Sequence, residues 1–302
     1  MTRKEVYEPC SATIGFFDGV HKGHKFIISQ LQEDAARHGK KSIVITFRQH
    51  PRQVLQQDYI PKLLTSYSQK EEMLKATGVD YVVMLDFTRQ LSALSAEEFM
   101  AFMRSKLNVR RLLIGYDNRF GHNRNEGFLD YQHYGRDLGI EVKAMNAFNE
   151  GGITVSSSMI RRLLCEGDIV TANDCLGYSY GFSGKVVHGY GEGRKLGFPT
   201  ANLLVADEQL IPQSGVYAVM VEAEGFDGEF MGMMDIGNRP TYGEFKESLE
   251  VNIIDFDADI YGKQVSVRFV QRIRDDKKFD SIDQLKLQIT KDREYIINIL
   301  KR

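Results

Sequence analysis

Hydrophobic and polar positions change their rhythm midway along the chain. In the first half, short β-branched runs alternate with stretches of helical period. A short run from Ala12 leads into Gly15, and Ser42–Phe47 (SIVITF) is a second. Val79–Phe87 (VDYVVMLDF) is apolar at successive positions, the pattern of a strand buried on both faces of a parallel sheet. Arg111–Gly115 and Ile140–Met145 supply two further strands. Between them, Phe26–Gly39 is amphipathic. Ser68 with Glu71, and Ser95 with Glu98, each form a capping box; the second opens a helix ending near Leu107. This alternation predicts an α/β domain with a parallel sheet. Such sheets bind ligands in the loops beyond the carboxyl ends of their strands. In the second half the period shortens. Phe182–His188, Val216–Ala223, Phe230–Ile236, Leu249–Phe256 and Gln264–Arg274 read as strands, and no long helical pattern intervenes until Ser281–Leu300. An antiparallel β-barrel with one C-terminal helix is expected. The boundary falls in Leu176–Ser183, giving domains 1–180 and 181–302.

Composition sharpens the picture. The 302 residues include 39 Lys and Arg against 41 Asp and Glu, a formal net charge of −2. That balance argues against broad electrostatic binding of nucleic acid. No apolar run approaches the roughly 20 residues of a membrane span, and Met1–Cys10 lacks the apolar stretch of a signal peptide. Cys10, Cys165 and Cys175 are an odd count without a CxxC, which argues against a disulfide framework or zinc site and fits a reducing cytoplasm. Small-molecule chemistry is the expectation, carried by a monomer or transient homo-oligomer.

Five segments carry candidate chemistry. The first is Ala12–His24 (ATIGFFDGVHKGH), where Gly15, Asp18 and Gly23 bracket His21 and His24. Glycines let backbone N–H groups approach a ligand, a helix N-terminus favours phosphate, and two histidines three residues apart can stabilise charge on an α-phosphate. The second is Ile114–Gly121 (IGYDNRFG), which sets Asp117 just beyond a strand, placed to hold a ribose, a flavin hydroxyl or a hydrated metal ion. The third is Val155–Leu164 (VSSSMIRRLL). Its serines, among them Ser157, suit a helix N-cap; Ile160, Leu163 and Leu164 form an apolar stripe; and Arg161 is placed to neutralise pyrophosphate. The fourth is Gly184–Leu203 (GKVVHGYGEGRKLGFPTANL). Gly191, Gly193 and Gly197 surround Arg194 in a loop able to wrap a polyphosphate, while Thr200 and Asn202 offer neutral oxygens suited to Mg²⁺ shared with ATP. The fifth is Leu249–Phe256 (LEVNIIDF), where Glu250 can accept the proton of an alcohol attacking a γ-phosphate. Asp255, Asp257 and Asp259 lack the rest of a calcium-loop pattern and read as a turn.

Taken in order, GFFDGVHKGH, GYDNRFG, SSSMIR, HGYGEGRKLGFPTANL, GVYAV, IGNRPTYG, LEVNIIDF and FDSIDQLKLQITKD resemble the bacterial bifunctional riboflavin kinase/FMN adenylyltransferase (FAD synthetase) family over essentially the whole length. The resemblance implies a Rossmann-like nucleotidylyltransferase domain followed by a riboflavin kinase-like barrel. ATP and riboflavin would give FMN in the barrel, and FMN and ATP would give FAD and pyrophosphate in the first domain. It also implies that His21 and His24 stabilise ATP phosphates, Asp117 contacts nucleotide or flavin, and Ser157 and Arg161 hold phosphates. Thr200 and Asn202 would hold Mg²⁺, Glu250 would be the general base, and Arg194 would lie by the phosphates. Three positions depart from the family's usual residues. Phe16 stands for Asn, Asn118 for Phe, and Asn252 for His. The first two motivate an alternative, a riboflavin kinase with a weak or regulatory N-terminal domain. A flavin-binding sensor without turnover is disfavoured by the combination of Thr200, Asn202 and Glu250.

Overall fold

A computed structural model describes residues 7–301 apart from 57, 116–117, 123–125, 150–153, 190 and 242–243, and the chain divides into two units, 1–157 and 158–302. In the first unit the β-branched runs pair side by side. Its elements are β1 (Cys10–Ile14), α1 (Lys22–Arg37), β2 (Lys41–Phe47), α2 (Pro51–Leu55), α3 (Tyr67–Ala76), β3 (Tyr81–Leu85), α4 (Arg89–Ser92), α5 (Ala96–Lys106), β4 (Val109–Ile114), α6 (Phe128–Leu138) and β5 (Glu141–Ala144). The sheet runs β3-β2-β1-β4-β5 with every neighbouring pair parallel. The chain builds outward from β1 and then returns to its other side, so the topological switch point lies between β1 and β4. Strand alternation feeds two buried layers: Ile43 and Ile45 cluster with Phe99, Met100 and Met103 of α5, and Val44 with Ile28 and Leu31 of α1.

Toward the amino ends of the strands, buried Asp34 accepts Arg111 Nε at 2.7 Å, Arg111 Nη2 at 2.9 Å and Ser11 Oγ at 3.0 Å. Burial pushes the Asp34 carboxyl up, but the bonds from Arg111 and Ser11 more than offset this and hold it below its ordinary range. This charge cluster ties α1 to the sheet at the end remote from the switch point.

Three local expectations are revised. The helix expected to open at Ser68 is capped at Ser66, whose hydroxyl accepts Gln69 N while Gln69 returns the bond to Ser66 N; Glu71 pairs instead with Lys75 at 2.7 Å. The Ser66–Gln69 pair satisfies the same reciprocal box two residues earlier. The strand in Val79–Phe87 is half-buried throughout rather than enclosed on both faces, because β3 is the sheet's edge. Helix α1 begins at Lys22, not after His24, because His21 caps it. The box at Ser95 and Glu98 forms as expected.

The second unit contains α7 (Ser157–Cys165, entered from the first unit), α8 (Ile169–Leu176), β6 (Gly181–Val187), α9 (Glu192–Leu196), β7 (Ala201–Leu204), β8 (Gly215–Ala223), β9 (Phe230–Thr241), β10 (Glu244–Ile253), β11 (Gln264–Arg274) and α10 (Ile282–Leu300). The strands close into an antiparallel barrel ordered β10-β7-β6-β11-β8-β9. Strand β7 falls in the Pro-Thr-Ala-Asn stretch read from sequence only as a metal loop. Asn173 of α8 donates to Phe269 O at 2.9 Å and accepts Tyr180 N at 2.7 Å, so α8 is docked on the barrel. Ser281 caps α10, and Ile289, Ile296 and Ile297 pack on Val216, Ala218 and Met233.

Candidate active sites

In the first unit a cavity of about 470 Å³ opens at the carboxyl ends of β1 and β4, lined by Gly15, Phe16, His24, Asn118 and Arg119 among others. The turn from β1 into α1 shapes it. His21 is buried and caps the helix, its Nδ1 accepting the backbone N–H of His24 at 3.3 Å. With Nδ1 used as an acceptor, a neutral His21 ring carries its proton on Nε2. The two imidazoles stack with centroids 3.6 Å apart, and His24 lies edge-on to Phe17 at 5.1 Å. Gly23 makes room for this arrangement: a Cβ there would sit 3.1 Å from His21 Nδ1 and 3.2 Å from Val155 O.

The turn itself is strained. Phe17 has φ +53°, Gly19 +81° and Val20 +33°, and the left-handed region is unfavourable for a β-branched residue. Buried tethers hold it there. Asp18 is 2% exposed, and its carboxylate accepts Leu64 N at 3.0 Å and Thr65 N at 3.2 Å. Gly19 N donates to Thr65 Oγ1 at 3.2 Å. Asp18 thus turns its carboxylate into the protein, where it anchors the turn. Ser157 Oγ donates to Asp18 O at 3.0 Å and so reaches the same turn. Asn118, which stands where an aromatic was expected, lines the cavity and donates its amide to Ile14 O. Arg119 was not singled out from sequence, although it follows Asn118 in the same loop beyond β4 and supplies a cation to the cavity wall. Asp117 lies outside the described residues. Arg161 is placed four residues after Ser157 on α7, in the second unit.

On the barrel, register does the assembling. Glu250 of β10 lies directly opposite Asn202 of β7, so both side chains share a face. Thr200 Oγ1 donates to Glu250 Oε2 at 3.0 Å, and Asn252 Nδ2 donates to Pro199 O at 2.7 Å. Asn252, where histidine is usual, therefore pins the approach to Thr200. Two cavities meet at Thr200. One of about 690 Å³ is lined by Arg194, Phe256, Asp257, Asp259 and Tyr261 among others. The other, about 210 Å³, holds Glu250, Asn252, Asp235 and Arg274.

Part of the glycine-rich segment is helical. Gly191 (φ +71°) and Gly197 (φ +88°) cap the short helix α9, and a Cβ on Gly193 would lie 2.4 Å from Phe198 O. Gly189 packs on Asn202, where a Cβ would approach Nδ2 to 2.2 Å. His188 stacks on Tyr261 at 4.0 Å. Asp259 Oδ1 accepts Tyr261 N at 3.0 Å, the turn expected of that acidic stretch. Asp235 was missed: it faces Glu250 across β9 and β10, a pairing visible only once the strands are in register. Arg274, also missed, is held by buried Asp292 of α10 at 2.8 Å.

Residues 3–159 match the family model for FAD synthetase, and residues 176–300 that for riboflavin kinase. The chain is 38% identical over 286 residues to the bifunctional riboflavin kinase/FMN adenylyltransferase of Escherichia coli (strain K12), covering 94% of this chain and 91% of that one. It is 33% identical over 298 residues to the protein of the same description from Bacillus subtilis (strain 168), covering 97% and 93%. A crystal structure from Streptococcus pneumoniae described as a macrolide-efflux protein superposes with a TM-score of 0.86 at 34% identity, covering 96% of this chain and 94% of that one. Among the described residues of the present chain, no helix is long and apolar enough to cross a membrane. With both domain matches in order and relatives aligned over nearly the full length, the chain belongs to the bifunctional riboflavin kinase/FMN adenylyltransferase family.

Proposed function

We propose that the chain makes FMN from riboflavin at the barrel and FAD from FMN at the α/β unit, using one ATP at each step. One observation carries this reading: among the described residues, carboxylates line the barrel's cavities but not the cavity beyond β1. The two reactions differ in that requirement. Riboflavin offers a neutral hydroxyl, so phosphorylation needs a base: Glu250 takes the hydroxyl proton as the oxygen bonds to the γ-phosphorus and ADP leaves. FMN offers a phosphate oxygen already ionised near neutral pH. Its attack on the α-phosphorus expels pyrophosphate and needs alignment and charge stabilisation, which His21, His24 and Arg119 supply.

Thr200 and Asn202 present hard, neutral oxygens beside the Glu250 carboxylate, a donor set that fits Mg²⁺ arriving with ATP. When bound, the ion neutralises phosphate charge. Arg194 lines the larger barrel cavity and Gly193 the smaller, and with Gly191 and Gly197 they belong to the segment that would wrap the phosphates. Gly15 and Gly23 do the same at the β1–α1 turn, which Asp18 and Ser157 brace. The functional boundary at 180/181 and a cytoplasmic setting, with no nucleic-acid or membrane partner, belong to the same reading.

Isotope labelling tests it. With riboflavin, Mg²⁺ and ATP, label from the γ-phosphate is expected in FMN and then in FAD, and label from the α-phosphate in FAD alone. FMN accumulating with no α-label in any flavin would instead favour a kinase with a regulatory N-terminal unit.

A further inference from the structure

Lys70 on α3 has no part in the chemistry above, yet it is 1% exposed. Its Nζ donates to Phe16 O at 3.1 Å and to Phe47 O at 2.8 Å. These carbonyls mark the carboxyl ends of neighbouring strands: Phe47 closes β2, and Phe16 lies just past β1. The same ammonium stands 4.0 Å from the centroid of the Phe16 ring, which also meets the His50 ring edge-on at 4.8 Å. Thr46 Oγ1 adds a second bond to Phe16 O at 3.0 Å.

Burying an ammonium is unfavourable. Desolvation pushes the Lys70 pKa down to about 8, with the Asp18 charge opposing it. An apolar side chain would pack α3 on the sheet without that cost. What the ammonium adds is direction, two bonds that fix backbone oxygens where the turn begins. Immediately beyond, Phe17 and Val20 hold positive φ. Asp18 and Thr65 pin the middle of that turn, and Lys70 pins its entry. The aromatic at position 16 gives the ammonium a third contact that a small amide would not.

We propose that Lys70 is a positioning residue for adenylyl transfer: by clamping the Phe16 and Phe47 carbonyls it fixes the strained turn and with it the placement of Gly15, Phe16 and His24 around the nucleotide phosphates. This rests on reading that cavity as the adenylyltransferase site. The test uses the full chain as wild type, Lys70→Met and Lys70→Arg, with FMN supplied directly. In Lys70→Met, kcat/KM for ATP in adenylylation is expected to fall at least tenfold with KM for FMN within twofold, and Lys70→Arg to recover to within fivefold of wild type. Riboflavin phosphorylation in the same samples is expected to stay within twofold. Hydrogen exchange supplies an arm independent of turnover: in Lys70→Met the amides of residues 15–20 are expected to lose protection while barrel peptides keep theirs. Wild-type constants and protection in Lys70→Met would overturn the proposal, as would equal loss of both reactions or an arginine variant no better than methionine. Wild type that forms no FAD would defeat the adenylyltransferase reading instead, and the exchange arm would still decide whether Lys70 holds the turn.

Discussion

On the barrel, Glu250, Asn202 and Asp235 meet because three antiparallel strands bring them into register, and Thr200 joins them through one hydrogen bond. At the end of the parallel sheet, no comparable ladder exists among the described residues. The β1–α1 turn is held by groups distant in sequence: the Lys70 and Thr46 side chains on the Phe16 carbonyl, the Leu64 and Thr65 backbone N–H groups on the Asp18 carboxylate, and the Ser157 hydroxyl on the Asp18 carbonyl. One site is positioned by repetitive backbone pairing, and the other by individual buried polar contacts around a strained segment. A register site is robust to single changes outside its strands. A tethered site has its geometry distributed over residues that touch no substrate.

The comparison breaks most visibly at Glu250. Glu250→Gln keeps the shape and the Thr200 contact but cannot accept a proton, so FMN formation is expected to fall by about 10²–10⁴-fold while supplied FMN is still converted to FAD. Rates of each flavin product, resolved by chromatography, measure this. At the other site, His24→Ala is expected to slow FAD formation about a hundredfold and to leave FMN formation unchanged. Gly189→Ala probes how far register alone suffices. Its Cβ would overlap the Asn202 amide, so riboflavin phosphorylation is expected to need roughly tenfold more Mg²⁺ for half-maximal rate, read from a Mg²⁺ titration.

The same contrast explains what was legible. The capping box at Ser95 and Glu98, the stripe Ile160–Leu163–Leu164 and β11 are local patterns of fixed period, and each forms where expected. Thr200 and Asn202 read as a metal loop, and Asn202 lies instead on β7, whereas Glu250 was legible as an alternating position on a strand. Asp235 was not, because its pairing with Glu250 depends on how two strands align. Lys70 was not, because a lysine on an amphipathic helix reads as solvated, and only the sheet edge above it shows that it is enclosed. Ser66 with Gln69 and Ser68 with Glu71 are overlapping boxes, and the pattern alone does not rank them. His21 read as a phosphate donor; its Nδ1 accepts the His24 N–H and so caps the helix.

A smaller effect sharpens the tethered side. The folded Lys70 pKa of about 8 lies below its ordinary 10.5, so the unfolded chain binds more protons between those values. Stability contributed through Lys70 is therefore fully present above the upper value and lost as pH falls through the lower one. The stability of wild type relative to Lys70→Met is expected to rise by about 1 kcal/mol per pH unit between 8 and 10, measured by denaturant unfolding followed in the first unit. Cys10, pushed up to about 12 mainly by burial, acts with the opposite sign but equally in both proteins, and so cancels.

The central claim is that two separable reactions occupy two differently built sites in one chain. The most direct measurement follows riboflavin, FMN and FAD over time in wild type, Glu250→Gln and His24→Ala, each started once from riboflavin and once from FMN. Glu250→Gln is expected to make FAD from riboflavin at least about a hundredfold more slowly than wild type but near-normally from FMN, and His24→Ala to accumulate FMN from riboflavin at the wild-type rate. Parallel loss of both reactions in either variant would contradict it.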